Sequence, residues 1–161
     1  GNKQFTRAMA ATMIARLAKA DDVAAAPAPF TDVDQGAWYA PSVNWAYENG
    51  VIKGRSQQHF DPNGTITREE FFAMVVRYLG KAGGSVETSE LPYTDADRIT
   101  FAWDELGQAQ TMGLVKGDNT GTLRPTAKLK RSDGHYTSCG TLSGKAVTAQ
   151  RKKQSCMKHR A

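Results

Sequence analysis

Phe30-Thr31-Asp32-Val33-Asp34 returns 63 residues later as Tyr93-Thr94-Asp95-Ala96-Asp97. The same offset carries Trp38 onto Phe101, Gly50 onto Gly113, Lys53-Gly54 onto Lys116-Gly117, Phe60 onto Leu123, Pro62 onto Pro125, Ile66 onto Leu129 and Arg68 onto Arg131. One ungapped offset that sets aromatics on aromatics or apolars, and glycines on glycines, marks an internal repeat, which decides the architecture before any element is assigned. A partial copy opens the chain, where Phe5-Thr6-Arg7 matches Ile66-Thr67-Arg68 at an offset of 61. The chain thus begins in mid-repeat, with Gly1-Asn2-Lys3 rather than a methionine, and reads as a piece of a longer protein.

Each full repeat reads as two helices joined by a loop. The first helix is expected from about Trp38 to Asn49 and again from about Phe101 to Met112, with Gly50 and Gly113 as C-terminal caps where a left-handed backbone costs least. The loop carries Lys53-Gly54 and the turn-forming Asp61-Pro62-Asn63-Gly64. A second helix is expected from about Thr67 to Leu79. Thr67 is a good N-cap, Glu70 stands at the capping-box position, and Ile66 with Phe71 can form a hydrophobic staple. Phe71, Met74, Val75 and Tyr78 fall on one face, as do Ala10, Met13, Ile14 and Leu17 in the opening segment. One helix pair cannot bury such a stripe alone, so the repeats should share a core around a common axis.

The expected fold is therefore all-α, with tandem helix-loop-helix repeats in a pseudo-threefold arrangement and an irregular C-terminal tail. Residues 1–20 would be the closing helix of a truncated first repeat and 30–80 a complete repeat. Residues 92–133 would be a repeat lacking its second helix, followed by an aberrant basic tail over 134–161. Linkers fall where composition shifts, in the alanine- and proline-rich 21–29 and the glycine-rich, small polar 80–90.

Charge and cysteine placement narrow the function. The net charge is +5, but residues 134–161 hold six basic residues and no acid, leaving 15 basic against 16 acidic residues in 1–133. The body is near neutral, and the tail has no aromatic residue interleaved between Lys145 and Arg160, so nothing favours nucleic acid. Both cysteines, Cys139 and Cys156, lie in the tail, and the body needs neither disulfide nor thiolate metal site. No run of about 18 apolar residues could span a bilayer.

At this point the residues resemble the S-layer homology family. The features are the aromatic-x-Asp opening Phe30-Thr31-Asp32, an aromatic-rich first helix (Trp38-Tyr39, Trp45-Ala46), the Gly50-to-Gly54 loop, the Asp-Pro-Asn-Gly turn and Ile66-Thr67-Arg68-Glu69-Glu70. The last follows the family's Ile-Thr-Arg-Ala-Glu signature, with Glu69 in place of alanine. The resemblance covers about residues 3–133. It implies a non-catalytic, secreted cell-surface module in a three-lobed helical assembly, binding a wall polymer in grooves between repeats and attaching a larger parent protein to the bacterial envelope. It also implies the polymer: an anionic secondary cell-wall polysaccharide, often carrying pyruvylated sugars, or peptidoglycan in some lineages. No cofactor, metal, nucleic acid or membrane insertion is implied.

The residues offer candidate contacts of their own. Arg68 stands in the first turn of a helix, where unpaired N–H groups and the dipole favour an anion and a guanidinium fork suits a carboxylate; pairing with Asp32 or another acid at the repeat junction fits equally. Arg7 and Arg131 are its counterparts, and Thr67 and Glu70 flank it. Met9 replaces the signature acid in the first copy, and the third copy reads Lys130-Arg131-Ser132-Asp133. Asp32 and Asp95 favour a turn-organising role through backbone two residues on over ligand contact. Trp38 favours the core over a sugar platform. Lys53 and Lys116, beside Gly54 and Gly117 in flexible loops, form a further polar contact site.

Two other classes of function bear on the same residues. His59 to Glu70 matches an EF-hand loop through Asp61, Asn63, Gly64, Ile66 and Glu70, but opens with histidine, and the repeat replaces Asp61 by Arg124 and Asn63 by Thr126. A calcium-binding structural module is thus the lesser reading. So is enzymatic activity of the chain itself, since His59, His135 and His159 form no triad at matching repeat positions and no carboxylate pair is singled out; an enzyme would be another part of the parent, with this chain as the accessory domain of a secreted wall-active enzyme.

The tail invites one more expectation. After Arg131 the repeat requires an amphipathic helix, yet 132–144 supplies Gly134, Gly140 and Gly144 among scattered polar residues. A coding sequence for 133–141 read one nucleotide further on can give Met-Ala-Thr-Ile-Leu-His-Ala-Val-Arg, whose Ala-Thr-Ile-Leu falls in register with Ala11-Thr12-Met13-Ile14. A frameshift that replaced the last helix is the expectation, leaving Cys139 and Cys156 without a structural duty.

Overall fold

The computed structural model describes residues 3–20, 22–83 and 86–132. Four helices follow one another: α1 (Arg7–Leu17), α2 (Ala40–Glu48), α3 (Arg68–Gly83) and α4 (Trp103–Thr111), with a short 3-10 turn at Ala96–Arg98. The described residues form no extended strand, and the all-α expectation stands.

The helix ends obey the local chemistry. Thr67 Oγ1 accepts from Glu70 N at 3.3 Å while Glu70 Oε2 accepts from Thr67 N at 2.9 Å, a complete capping box at the start of α3. In α1, Thr6 Oγ1 accepts from Met9 N at 3.2 Å, but Met9 has no acceptor to return, so only half of the box forms. Gly50 and Gly113 have φ of +65° and +66°. Val51 N donates to Ala46 O, and Leu114 N to Ala109 O, closing α2 and α4 alike in the six-to-one bond of a Schellman end. Helix α3 runs through Gly80 to Gly83, beyond the expected stop at Leu79. A helical glycine costs about 1 kcal/mol against alanine, which the burial of Val75, Val76, Tyr78 and Leu79 just before it outweighs.

One apolar core joins all described parts of the chain. Ile14 from α1, Val43 from α2, Phe71 and Val75 from α3 and Leu106 from α4 are almost wholly buried together with Phe60, Ile66 and Leu123 from the loops. Helix α1 packs on α2 and on α3, and α3 packs on α4. The three segments around Phe5, Ile66 and Leu129, at matching positions of the repeat, hydrogen-bond to one another. Phe5 N donates to Leu129 O (3.1 Å), Leu129 N to Ile66 O (3.0 Å) and Ile66 N to Phe5 O (3.1 Å), a closed ring of three hydrogen bonds. Two residues further on, Arg7 N donates to Gly64 O, Arg68 N to Ala127 O and Arg131 N to Lys3 O, each at 2.9 Å. The expected frameshifted tail, with Cys139 and Cys156, lies outside the described residues.

Candidate ligand-binding groove

The loop between the two helices of a repeat is fastened from three directions. Asp32 accepts from Phe60 N (2.9 Å) and Asp61 N (2.7 Å), and Asp95 accepts from Leu123 N (2.7 Å) and Arg124 N (2.8 Å). Both aspartates therefore organise backbone, as favoured from sequence, but across the loop some 28 residues on rather than two. Desolvation is the largest single influence on both and raises their pKa values, yet the backbone N–H groups together outweigh it and hold both carboxyls below the ordinary value.

Gly54 closes the second side. A Cβ there would lie 2.6 Å from a Phe30 ring carbon and 2.7 Å from His59 O. At Gly117 it would meet Tyr93 at 2.5 Å and Thr122 O at 3.1 Å. These glycines thus serve close packing rather than the loop flexibility expected of them.

Arg7 supplies the third fastening from the preceding repeat. Its Nε donates to Phe60 O (2.7 Å), Nη2 to Lys53 O (3.1 Å) and Nη1 to Glu70 Oε1 (3.0 Å), with Cζ 4.8 Å from the Phe60 ring centre. Only 3% of Arg7 is exposed. Burial lowers its pKa, and the Glu70 carboxylate opposes that shift. Arg68 repeats the pattern one repeat on, with Nε donating to Leu123 O at 3.0 Å and Cζ 5.6 Å from the Phe72 ring centre.

That arrangement corrects two expectations. The first-turn N–H groups of α3 are not open to an anion: Arg68 N donates to Ala127 O, Glu69 N to Pro125 O and Glu70 N to Thr67 Oγ1. Of the acids offered as partners for Arg68, Asp32 is taken up by the backbone of the loop, which corrects that one choice and not the pairing as such. Thr67 is a cap.

Arg7, Lys53, Gly54 and Glu70 converge on a groove of about 610 Å³. Residues that the sequence does not single out as contacts complete it: Arg55 from the loop, Met74 and Arg77 from α3, and Phe101, Asp104 and Glu105 around the start of α4. Arg77 Nη2 donates to Glu105 Oε1 at 2.7 Å, tying the two walls. The repeat offset held a signal for one of them, because Phe101 is the counterpart of Trp38. Trp38 itself is 63% exposed, against the favoured core reading, and Phe101 is 51% exposed. Both precede a first helix whose inward face is already filled, by Ala40 and Val43 in α2 and by Leu106 and Ala109 in α4. Lys116 and Gly117 lie on the third-repeat loop away from this groove, and Arg131 is joined to Lys3 through backbone.

The EF-hand positions point elsewhere. Asp61 Oδ2 accepts from Arg55 Nε (2.9 Å), and Glu70 Oε1 faces both Arg7 and Arg55 (3.0 and 3.1 Å), so two guanidinium groups occupy the carboxylates a cation would need. Among the described residues no three His, Cys, Asp or Glu side chains gather as a metal site, and no helix is long and apolar enough to cross a membrane.

Residues 29–72 and 92–133 match the S-layer homology domain. The chain is 34% identical over 103 residues to an endoglucanase of Bacillus sp. (strain KSM-635), covering 64% of this chain and 10% of that protein. It is 30% identical over 140 residues to cell surface glycoprotein 1 of Acetivibrio thermocellus, covering 81% and 6%. It is 30% identical over 135 residues to the surface-layer 125 kDa protein of Lysinibacillus sphaericus, covering 81% and 11%. The chain spans about a tenth or less of the length of these relatives. With more than half of its residues inside the two matched segments, the chain belongs to the S-layer homology domain family, whose modules anchor surface proteins and enzymes to the cell wall.

Proposed function

We propose that this chain is a non-catalytic module that holds a larger parent protein at the bacterial surface by binding an anionic secondary cell-wall polysaccharide, or peptidoglycan, in the groove between its repeats. One observation carries the reading: Lys53, on the groove, has no ion-pair partner among the described residues, beside a guanidinium, Arg55, that is 43% exposed on its side chain. Such cations suit a carboxylate or phosphate on a sugar, and exposed Phe101 offers a ring face next to them. Arg7, Gly54, Glu70, Thr67 and Asp32 shape this site, and Lys53 touches the ligand. Arg68, Lys116, Gly117 and Asp95 serve the corresponding positions one repeat on, Arg131 is the counterpart of Arg68 in the last copy, and Trp38 is the counterpart of Phe101. The closed ring through Phe5, Ile66 and Leu129 supports a pseudo-threefold assembly of the three copies, with residues 1–20, 30–80 and 92–133 as its units. Relatives named as a surface-layer protein and as an endoglucanase support the view that any catalytic activity belongs to other parts of the parent.

Purified cell-wall sacculi test this directly. The chain should sediment with sacculi that keep their secondary polymers and remain in solution once those polymers are extracted. Undiminished binding after extraction would assign peptidoglycan as the ligand, and no binding to either preparation would end the anchoring reading. Lys53→Gln should weaken binding and leave the thermal melt unchanged.

A further inference from the structure

The loops of the two full repeats carry the same ion pair with its charges exchanged. Position 55 is arginine in the central repeat and its counterpart 118 is aspartate, whereas position 61 is aspartate and its counterpart 124 is arginine. Both pairs are made: Arg55 Nε to Asp61 Oδ2 at 2.9 Å, and Arg124 Nη2 to Asp118 Oδ2 at 3.1 Å. The backbone beneath them is alike, since Asp61 and Arg124 are both left-handed, at φ 60° and 54°. The loop geometry is therefore retained while the sign of the charge beside the conserved Lys-Gly pair is reversed.

That reversal matters because of where position 55 lies. Arg55 lines the groove next to Lys53, shares Glu70 Oε1 with Arg7, and keeps about three of its five N–H donors without a partner among the described residues. Arg7 cannot play this part, since each of its three nitrogens is already engaged and its side chain is 4% exposed. Asp104 and Glu105 stand with Phe101 on the other wall. An anion would therefore be held on the loop side of the groove. In the third repeat the equivalent place beside Lys116 is Asp118, whose carboxylate accepts from the hydroxyls of Thr120 (2.6 Å) and Thr122 (2.7 Å) and from their backbone N–H groups. Those bonds depress its pKa strongly, so it stays negative.

We infer that Arg55 is the specificity-determining residue for anionic glycan and that the exchanged pair confines anion binding to the central-repeat loop, one acidic sugar per chain instead of one per loop. This rests on the wall-polymer reading above.

The exchange provides its own test, because Arg55→Asp with Asp61→Arg leaves the net charge and composition unchanged. The probe is secondary wall polymer released from sacculi and cut to short oligosaccharides, titrated by calorimetry beside the same material with its carboxyl groups reduced. Wild type should bind the acidic form at about one per chain, with the reduced form at least tenfold weaker. The exchanged protein should lose at least tenfold for the acidic form and discriminate little between the two. Should that variant melt early, Arg55→Gln with Asp61→Asn removes the same charges at nearly constant shape and should show the same loss. Equal binding by folded variants, or two equivalent anionic sites in wild type, would overturn the assignment of Arg55 and leave the anchoring reading standing. If wild type ignored the polymer altogether, the assignment of Arg55 would fall, while the anchoring reading would fall only if the chain also failed to sediment with extracted sacculi.

Discussion

The contact of α1 with α2 and the contact of α3 with α4 occupy equivalent places in the repeat but are built from different chemistry. Where the first has Ala8 and Ala37, the second has Glu69 and Thr100, with the buried Glu69 carboxylate accepting from Thr100 N (3.0 Å) and Thr100 Oγ1 (2.6 Å). Where the first has Met9 and Ser42, the second has Glu70 and Glu105, each bound by arginine. The apolar interface closes by shape alone. The polar one needs partners, and the two arginines among them line the groove. A repeat scaffold thus tolerates a change from apolar to charged packing when both sides change together, because an unpaired charge in such a place is what costs most.

The sharpest way to break this comparison is at the buried end of the groove. Arg7→Ala would leave the carbonyls of Phe60 and Lys53 without their guanidinium donors and Glu70 with Arg55 alone as its ion-pair partner, and equilibrium unfolding should show a loss of about 2–5 kcal/mol, at about 1–3 for each buried carbonyl left unmet. Arg68→Ala, which gives up a hydrogen bond to Leu123 O in a less enclosed place, should lose about 1.5–3 kcal/mol. Equal losses would mean that the two arginines are interchangeable struts.

Glu69 and Thr100 test whether the polar contact is a unit. Glu69→Ala should cost about 1–3 kcal/mol by leaving the Thr100 donors unpaired. Adding Thr100→Ala, which copies the Ala8 and Ala37 interface, should recover part of that loss. A double-mutant cycle should give a coupling of about 0.5–3 kcal/mol; strict additivity would show that the pair is incidental.

Acid sensitivity should follow the loop clamps. Asp32 and Asp95 have folded pKa values below their unfolded ones, so their contribution is fully present above about pH 4 and is lost as pH falls through the folded values. Replacing both by Asn should flatten the acid limb of the stability profile below that pH, read by denaturant melts at stepped pH. The smallest effect is expected at Arg124, a left-handed residue whose ion pair is 68% exposed on the arginine side. Arg124→Asn should raise stability by up to about 1 kcal/mol, since asparagine accepts that backbone conformation more readily.

Much of the fold was legible because its cues are local. The capping box at Thr67 and Glu70, the glycine ends at Gly50 and Gly113 and the apolar stripe of α3 all depend on residues within a turn or two of one another. The candidate site was legible only in part. Lys53, Gly54 and Arg7 could be singled out by recurrence and Glu70 by its capping-box position, but their meeting point could not, since Arg7 reaches 46 to 63 positions along the chain. Trp38 was misplaced because a tryptophan at a helix start carries no mark of which way the helix turns, and Arg55 was passed over because its counterpart is an acid.

The sequence by itself determined the repeat, its helices and its turns, and with them the family, because spacing and residue type are preserved wherever backbone geometry demands a particular side chain or none. Only the tertiary structure decided which carboxylates answer which arginines and which N–H groups stay available. Those depend on what the next repeat brings within about 3 Å, and a hydrogen-bonding group already satisfied by the fold has little left to offer a ligand.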